Sequence, residues 1–224
     1  MKKKVVLLVC LLISAGFGGG FGEVSIATPA INHRSNILSA DIPDPAADLS
    51  SLVLTSQDLP GGFIKMPPDT LKNVVSGIPN FKPASVFGYY KNDDQQFQIV
   101  TGFTTQLPNQ IDRAKFDAEI GEGMFAQQFS QSLNSSNKEF QFANLTTLNL
   151  EDKIGEVSSG WTTQGKVRGV PINVELALFR RGKIGSFVAI VYLNGSKPAV
   201  TISEAARQLD KHIMAIQPDA TQPQ

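Results

Sequence analysis

The stretch covering residues 172–193, INVELALFRRGKIGSFVAIVYL, leaves the chain little choice of structure. Ile172, Val174, Leu176 and Leu178 alternate with Asn173, Glu175 and Ala177. That period of two sends successive side chains to opposite faces of a strand. Gly182 then separates this run from a second and more apolar one, Ile184 to Leu193, and a glycine between two apolar runs predicts an antiparallel hairpin. Arg180, Arg181 and Lys183 cluster at its end. They could meet an anionic partner or lipid, but the expectation is the solvated tip of the hairpin.

The same signal recurs upstream. Residues 86–91, VFGYYK, and 96–104, QFQIVTGFT, read as two strands, with Phe97, Ile99, Thr101 and Phe103 on the more apolar face. Between them Asp93 and Asp94 have no third oxygen ligand at a supporting spacing, so a turn is expected rather than a metal pair. FQFANLTTLNL and GEVSSGWTTQG supply further strands, giving five to seven in antiparallel succession.

Two helices accompany them. Over residues 110–133, Phe116, Ile120 and Met124 are four apart, and Phe125, Phe129 and Leu133 continue the stripe. Gly121 and Gly123 interrupt this helix, each costing about 1 kcal/mol relative to alanine. They predict either a kink or a close approach of backbone to the sheet. In TISEAARQLDKHIMAIQP, Thr201 and Glu204 fit a capping box, Leu209 and Ile213 lie on the apolar face, and Pro218 ends the helix.

The amino terminus predicts export. Lys2, Lys3 and Lys4 precede the apolar core Val5 to Ile13, and Ser25-Ile26-Ala27 offers a signal-peptidase site, so the mature chain is expected to begin at Thr28. The apolar run is about half of what a membrane-spanning helix needs. A retained anchor would require SAGFGGGFG to extend it. Cys10, preceded by Val9, lacks the setting of a lipidation site and reads as a filler of the signal core. The mature chain then has no cysteine, which excludes disulfides, thiolate catalysis and Cys-ligated metal. Loss of Lys2, Lys3, Lys4 and Glu23 from 20 basic and 20 acidic residues leaves 17 and 19. With no basic stripe, nucleic-acid binding has no support.

No catalytic constellation emerges. There is no nucleophile elbow, P-loop, His-Glu-x-x-His or EF-hand loop, and Ser186 begins a strand rather than a helix. Of two histidines, His33 falls in a proline-broken leader, and His212 borders the last helix's apolar face with no partner apparent. Glu119 and Glu122, three apart, have the pattern of an ordinary solvated face. Asn134, Asn144 and Asn194 match the glycan-acceptor pattern, as chance predicts in a chain rich in Asn, Ser and Thr.

One further stretch, LTSQDLPGGF at residues 54–63, resembles a phosphate loop only superficially, because an extended, proline-broken segment follows its glycines. A turn is expected, with Leu59 and Phe63 packing on either side. The pattern Leu-Thr-x-x-Asp-Leu-Pro-x-Gly-Phe resembles the start of small exported domains of the PsbP/Mog1-like type. LFRRGKIGSFVAIVYLNG followed by AARQLDKHIMAI is similar to their ending. The resemblance covers roughly residues 50–217. It implies an antiparallel sheet with helices packed against it, and a non-enzymatic accessory or interaction role in the periplasm or thylakoid lumen.

These readings combine into an α+β chain: signal peptide 1–27, flexible leader 28–50, one domain at 51–217 and a disordered tail at 218–224. The expected function is that of an exported accessory protein, periplasmic, extracellular or lumenal, assisting a membrane-associated complex through a protein partner. No catalytic residue, metal or cofactor is assigned, and no membrane span is expected after cleavage. The alternative is a carrier of a small apolar ligand, held between sheet and helix by Phe116, Ile120, Met124 and Phe129.

Overall fold

The structure, a computed structural model, describes residues 49–71, 83–94, 96–135 and 140–216. The expected signal peptide, the tail and all but the end of the leader lie outside these residues, as does His33.

Among the described residues, eight strands form one antiparallel sheet: β1 (Ile64–Lys65), β2 (Ser85–Asn92), β3 (Phe97–Gln106), β4 (Phe140–Phe142), β5 (Thr146–Leu148), β6 (Val157–Val167), β7 (Val170–Arg181) and β8 (Ile184–Leu193). Their order is β1-β2-β3-β8-β7-β6-β4, with β5 also pairing to β6. The fold is α+β, but the five to seven strands expected are eight. Ile64 and Lys65 add a short edge strand opposite Tyr90 and Tyr89. FQFANLTTL, read as one strand, is two.

The split has a clear geometry. Phe142 pairs with Gly165 and Thr146 with Thr162, so residues 143–145 on the edge face only 163–164 on β6. This is a bulge, with Ala143 N donating to Gln164 O at 2.9 Å and Thr163 Oγ1 to Ala143 O at 2.7 Å. The β7–β8 hairpin closes as expected: Arg181 pairs with Ile184, leaving a two-residue turn. Gly182 there has φ +55, a conformation that suits glycine at the first turn position.

Both faces of the sheet are covered. Phe103 and Ile99 of β3, Leu176 of β7 and Phe187 of β8 are buried on one face beneath α1 (Gln110–Gly121) and α2 (Met124–Ser135). On the other, Val100, Phe179, Val188 and Ile190 lie beneath α3 (Ile202–Ile216) and the N-terminal leucines Leu52, Leu54 and Leu59. Gln98 therefore points inward rather than to solvent. It is buried but satisfied, with Nε2 donating to Val200 O at 2.7 Å and Oε1 accepting from Ala199 N at 2.7 Å.

The single helix expected over 110–133 is two helices. Asn109 caps α1 by accepting from Asp112 N at 2.8 Å, and Glu122 ends it by donating its N–H to Ala118 O. Gly123, at φ +66, turns the chain into α2. No heavy atom lies within 4 Å of where a Cβ on Gly121 would sit, so these glycines mark a break and not a close approach to a strand. The capping box of α3 is present: Glu204 Oε2 accepts from Thr201 N at 2.8 Å, and Thr201 Oγ1 from Glu204 N at 3.2 Å. The amide of Thr201, and then its hydroxyl, hold the Glu204 carboxyl below its usual range.

Candidate functional site

Among the described residues, three of the places where polar side chains gather bear on function. The first corrects the reading of the hairpin tip. Arg180 and Arg181 are largely buried, each in a two-pronged ion pair. Arg180 donates from Nε and Nη2 to Asp117 of α1 at 2.6 and 2.8 Å, and from Nη1 to Glu156 at 2.5 Å. Arg181 donates from Nε and Nη2 to Asp210 of α3 at 2.5 and 2.6 Å. These carboxylates, bonded first and then acting through their charge, push both guanidinium groups further up. The cluster joins layers together and leaves Lys183 as the exposed cation of the three.

The second corrects the reading of His212. Its Nδ1 lies 2.9 Å from Val53 O and its Nε2 3.0 Å from Asp58 Oδ1. A carbonyl and a carboxylate both accept, so each ring nitrogen faces an acceptor. Burial alone would raise the Asp58 carboxyl. The hydroxyl and amide of Thr55, with His212, outweigh that and lower it. No nucleophile is poised on the imidazole: the Thr55 hydroxyl donates to Asp58 at 2.7 Å. This pair fastens LTSQDLPGGF to α3. The turn is thus the start of the fold, with Tyr89 and Ser85 donating to the carbonyls of Leu54 and Leu52.

The third place is a groove of about 480 Å³ between α2 and the bulged edge of the sheet. Gly123, Ala126, Gln127 and Ser130 line it from the helix side. The spacing of the last three puts them on one face of α2. From the sheet come Asn144 and Leu145, re-aimed by the bulge, with Thr147 and Trp161, which are directly cross-strand neighbours. Trp161 is 5% exposed, and Phe125 backs it at a ring distance of 5.5 Å. None of the eight lining side chains is ionisable.

The residues singled out for an apolar pocket take positions beside this groove. Ile120 and Phe129 are 2% and 1% exposed within the core under the helices, Phe116 packs on its margin, and Met124 is half-buried at the start of α2. The groove opens on the adjoining face of the same helix. Its sheet side went unread in sequence, although Trp161, the single tryptophan, sits in GEVSSGWTTQG, a segment expected to be a strand. Asp93 makes the expected turn, accepting from Gln96 N at 2.7 Å. Glu119 is raised by burial first and then by the charge of Glu122. Among the described residues no group of three or more His, Cys, Asp or Glu could hold a metal ion, and no helix is long and apolar enough to cross a membrane.

The groove is concave and its lining holds no ionisable side chain, so the hydroxyls of Ser130 and Thr147 have no acid or base beside them within it. No family model and no curated protein matches the chain. Among solved structures it is similar to LpqN, described as involved in cell envelope biogenesis of Mycobacterium tuberculosis. The identity is 15% over 68% of this chain and 78% of that one, with a TM-score of 0.33. A superposition that loose carries no assignment.

Proposed function

We propose that this chain is an exported, non-enzymatic domain of the PsbP/Mog1-like sandwich type that works by holding a small ligand in the groove between α2 and β5–β6. The observation that supports it is the groove itself. Its 480 Å³ falls in the size range of small-molecule sites. This moves the weight from the accessory role expected first to the carrier reading, with the lining shifted to Gln127, Asn144, Thr147 and Trp161. The signal-like amino terminus supports a periplasmic, extracellular or lumenal setting.

Native mass spectrometry of the protein purified from its own host tests the reading. Wild type carries a bound small-molecule mass, and Gln127→Trp, which fills the groove from an exposed helix position, loses it. Bare wild-type protein with a stoichiometric protein companion would return the assignment to the accessory role.

A further inference from the structure

We infer that the groove takes an uncharged, hydroxyl- or amide-bearing ring compound, of which a neutral sugar is the type; this rests on the reading of the groove as a ligand site. The warrant is the chemistry of its walls. A charged ligand entering would lose water and meet no counter-charge, because no lining side chain is ionisable. A wholly apolar ligand fits no better. Among the described residues, no hydrogen bond engages the side chains of Gln127, Asn144 or Thr147, which supply amide and hydroxyl donors and acceptors around the rim. Covering them with hydrocarbon would strip their water without replacement. Trp161 and Leu145 provide the apolar component. A neutral sugar matches this division, with C–H groups toward the small apolar floor and hydroxyl edges toward the rim.

The molecule carries its own reporter. Trp161 is the single tryptophan, so selectively excited indole emission comes from the floor of this groove and the core packed behind it. Titration of the intact mature protein with methyl β-glucoside and N-acetylglucosamine is expected to give a saturable emission change. Glucuronate and glucosamine, similar in size but charged, should bind at least about 10-fold more weakly. Gln127→Ala should weaken the neutral probes by about 2- to 10-fold, with an unchanged melting curve because residue 127 is exposed. Gln127→Glu should shift preference toward glucosamine.

Equal response to charged and neutral probes would overturn the inference. Should no probe register, the mass of the host-derived ligand decides. A neutral hydroxylated compound supports the inference, while an ionic or fatty ligand overturns it and leaves the groove reading standing. No bound species at all removes both.

Discussion

Arg180 and Arg181 are neighbours on β7, yet their guanidinium groups reach opposite faces of the sheet, one to Asp117 on α1 and the other to Asp210 on α3. The alternation of a strand makes this unavoidable, and the protein uses it to tie both helical layers to one edge of a single hairpin. The two ties are not equivalent. Asp210 is 3% exposed and keeps just one further donor, Gly155 N at 3.0 Å. Asp117 is more open to solvent.

Arg181→Ala should therefore be the costlier substitution. It strands a buried carboxylate, which typically costs about 3–5 kcal/mol. Arg180→Ala is expected to cost about 1–3 kcal/mol, because water can replace its bonds to Asp117 and Glu156. Urea unfolding of the two variants side by side checks the order, and equal losses would contradict it.

The α3 face gives a prediction in packing. Leu209 is fully buried against the sheet, so Leu209→Ala should cost about 2–5 kcal/mol. Met214, exposed on the same helix, should tolerate alanine within about 0.5 kcal/mol. Thermal melts that treat the two alike would mean that α3 does not dock.

Two glycines two residues apart should respond with opposite signs. Gly121 closes α1 with open space around it, and Gly121→Ala should stabilise by about 0.4–1 kcal/mol. Gly123 holds a left-handed φ, and Gly123→Ala should destabilise by about 1 kcal/mol or more. Differential scanning calorimetry resolves both shifts.

Acid should loosen the N-terminal segment through Asp58. Its carboxyl titrates lower in the folded protein than in the unfolded chain, where the ordinary value applies. Its contribution is thus present above the ordinary carboxylate range and is lost as pH falls through the lowered folded value, below about pH 4. Asp58→Asn should be less stable at pH 6, and should lose less on going to pH 3, than wild type. Chemical denaturation across that range measures it, and parallel losses would sink the assignment.

What the sequence disclosed was what neighbours decide. The β7–β8 hairpin, the Thr201–Glu204 box and the Asp93 turn each rest on residues a few positions apart, and each is present. The helix break at Gly123 was legible as an interruption, but its kind depended on what lay beside Gly121. His212 and Asp58 are 154 positions apart, and no local pattern announces such a pair. The groove is assembled from α2, a bulge and β6. The bulge depends on how FQFANLTTL registers against β6, which alternation alone does not set.

The β7–β8 hairpin also has a consequence for the order of events when the chain folds. Its two strands are joined by a two-residue turn, and such hairpins close in roughly 1–10 μs. Asp210 must be recruited from 29 positions on and Asp117 from 63 positions back, each at a greater cost in loop closure. If the hairpin belongs to the nucleus and the helices arrive afterwards, changes to the turn at Gly182 should slow refolding. Loss of Asp117 or Asp210 should instead leave refolding nearly untouched and hasten unfolding. The lifetime of the native protein would then be set at the two arginine clasps, and the speed of reaching it by the glycine beside them.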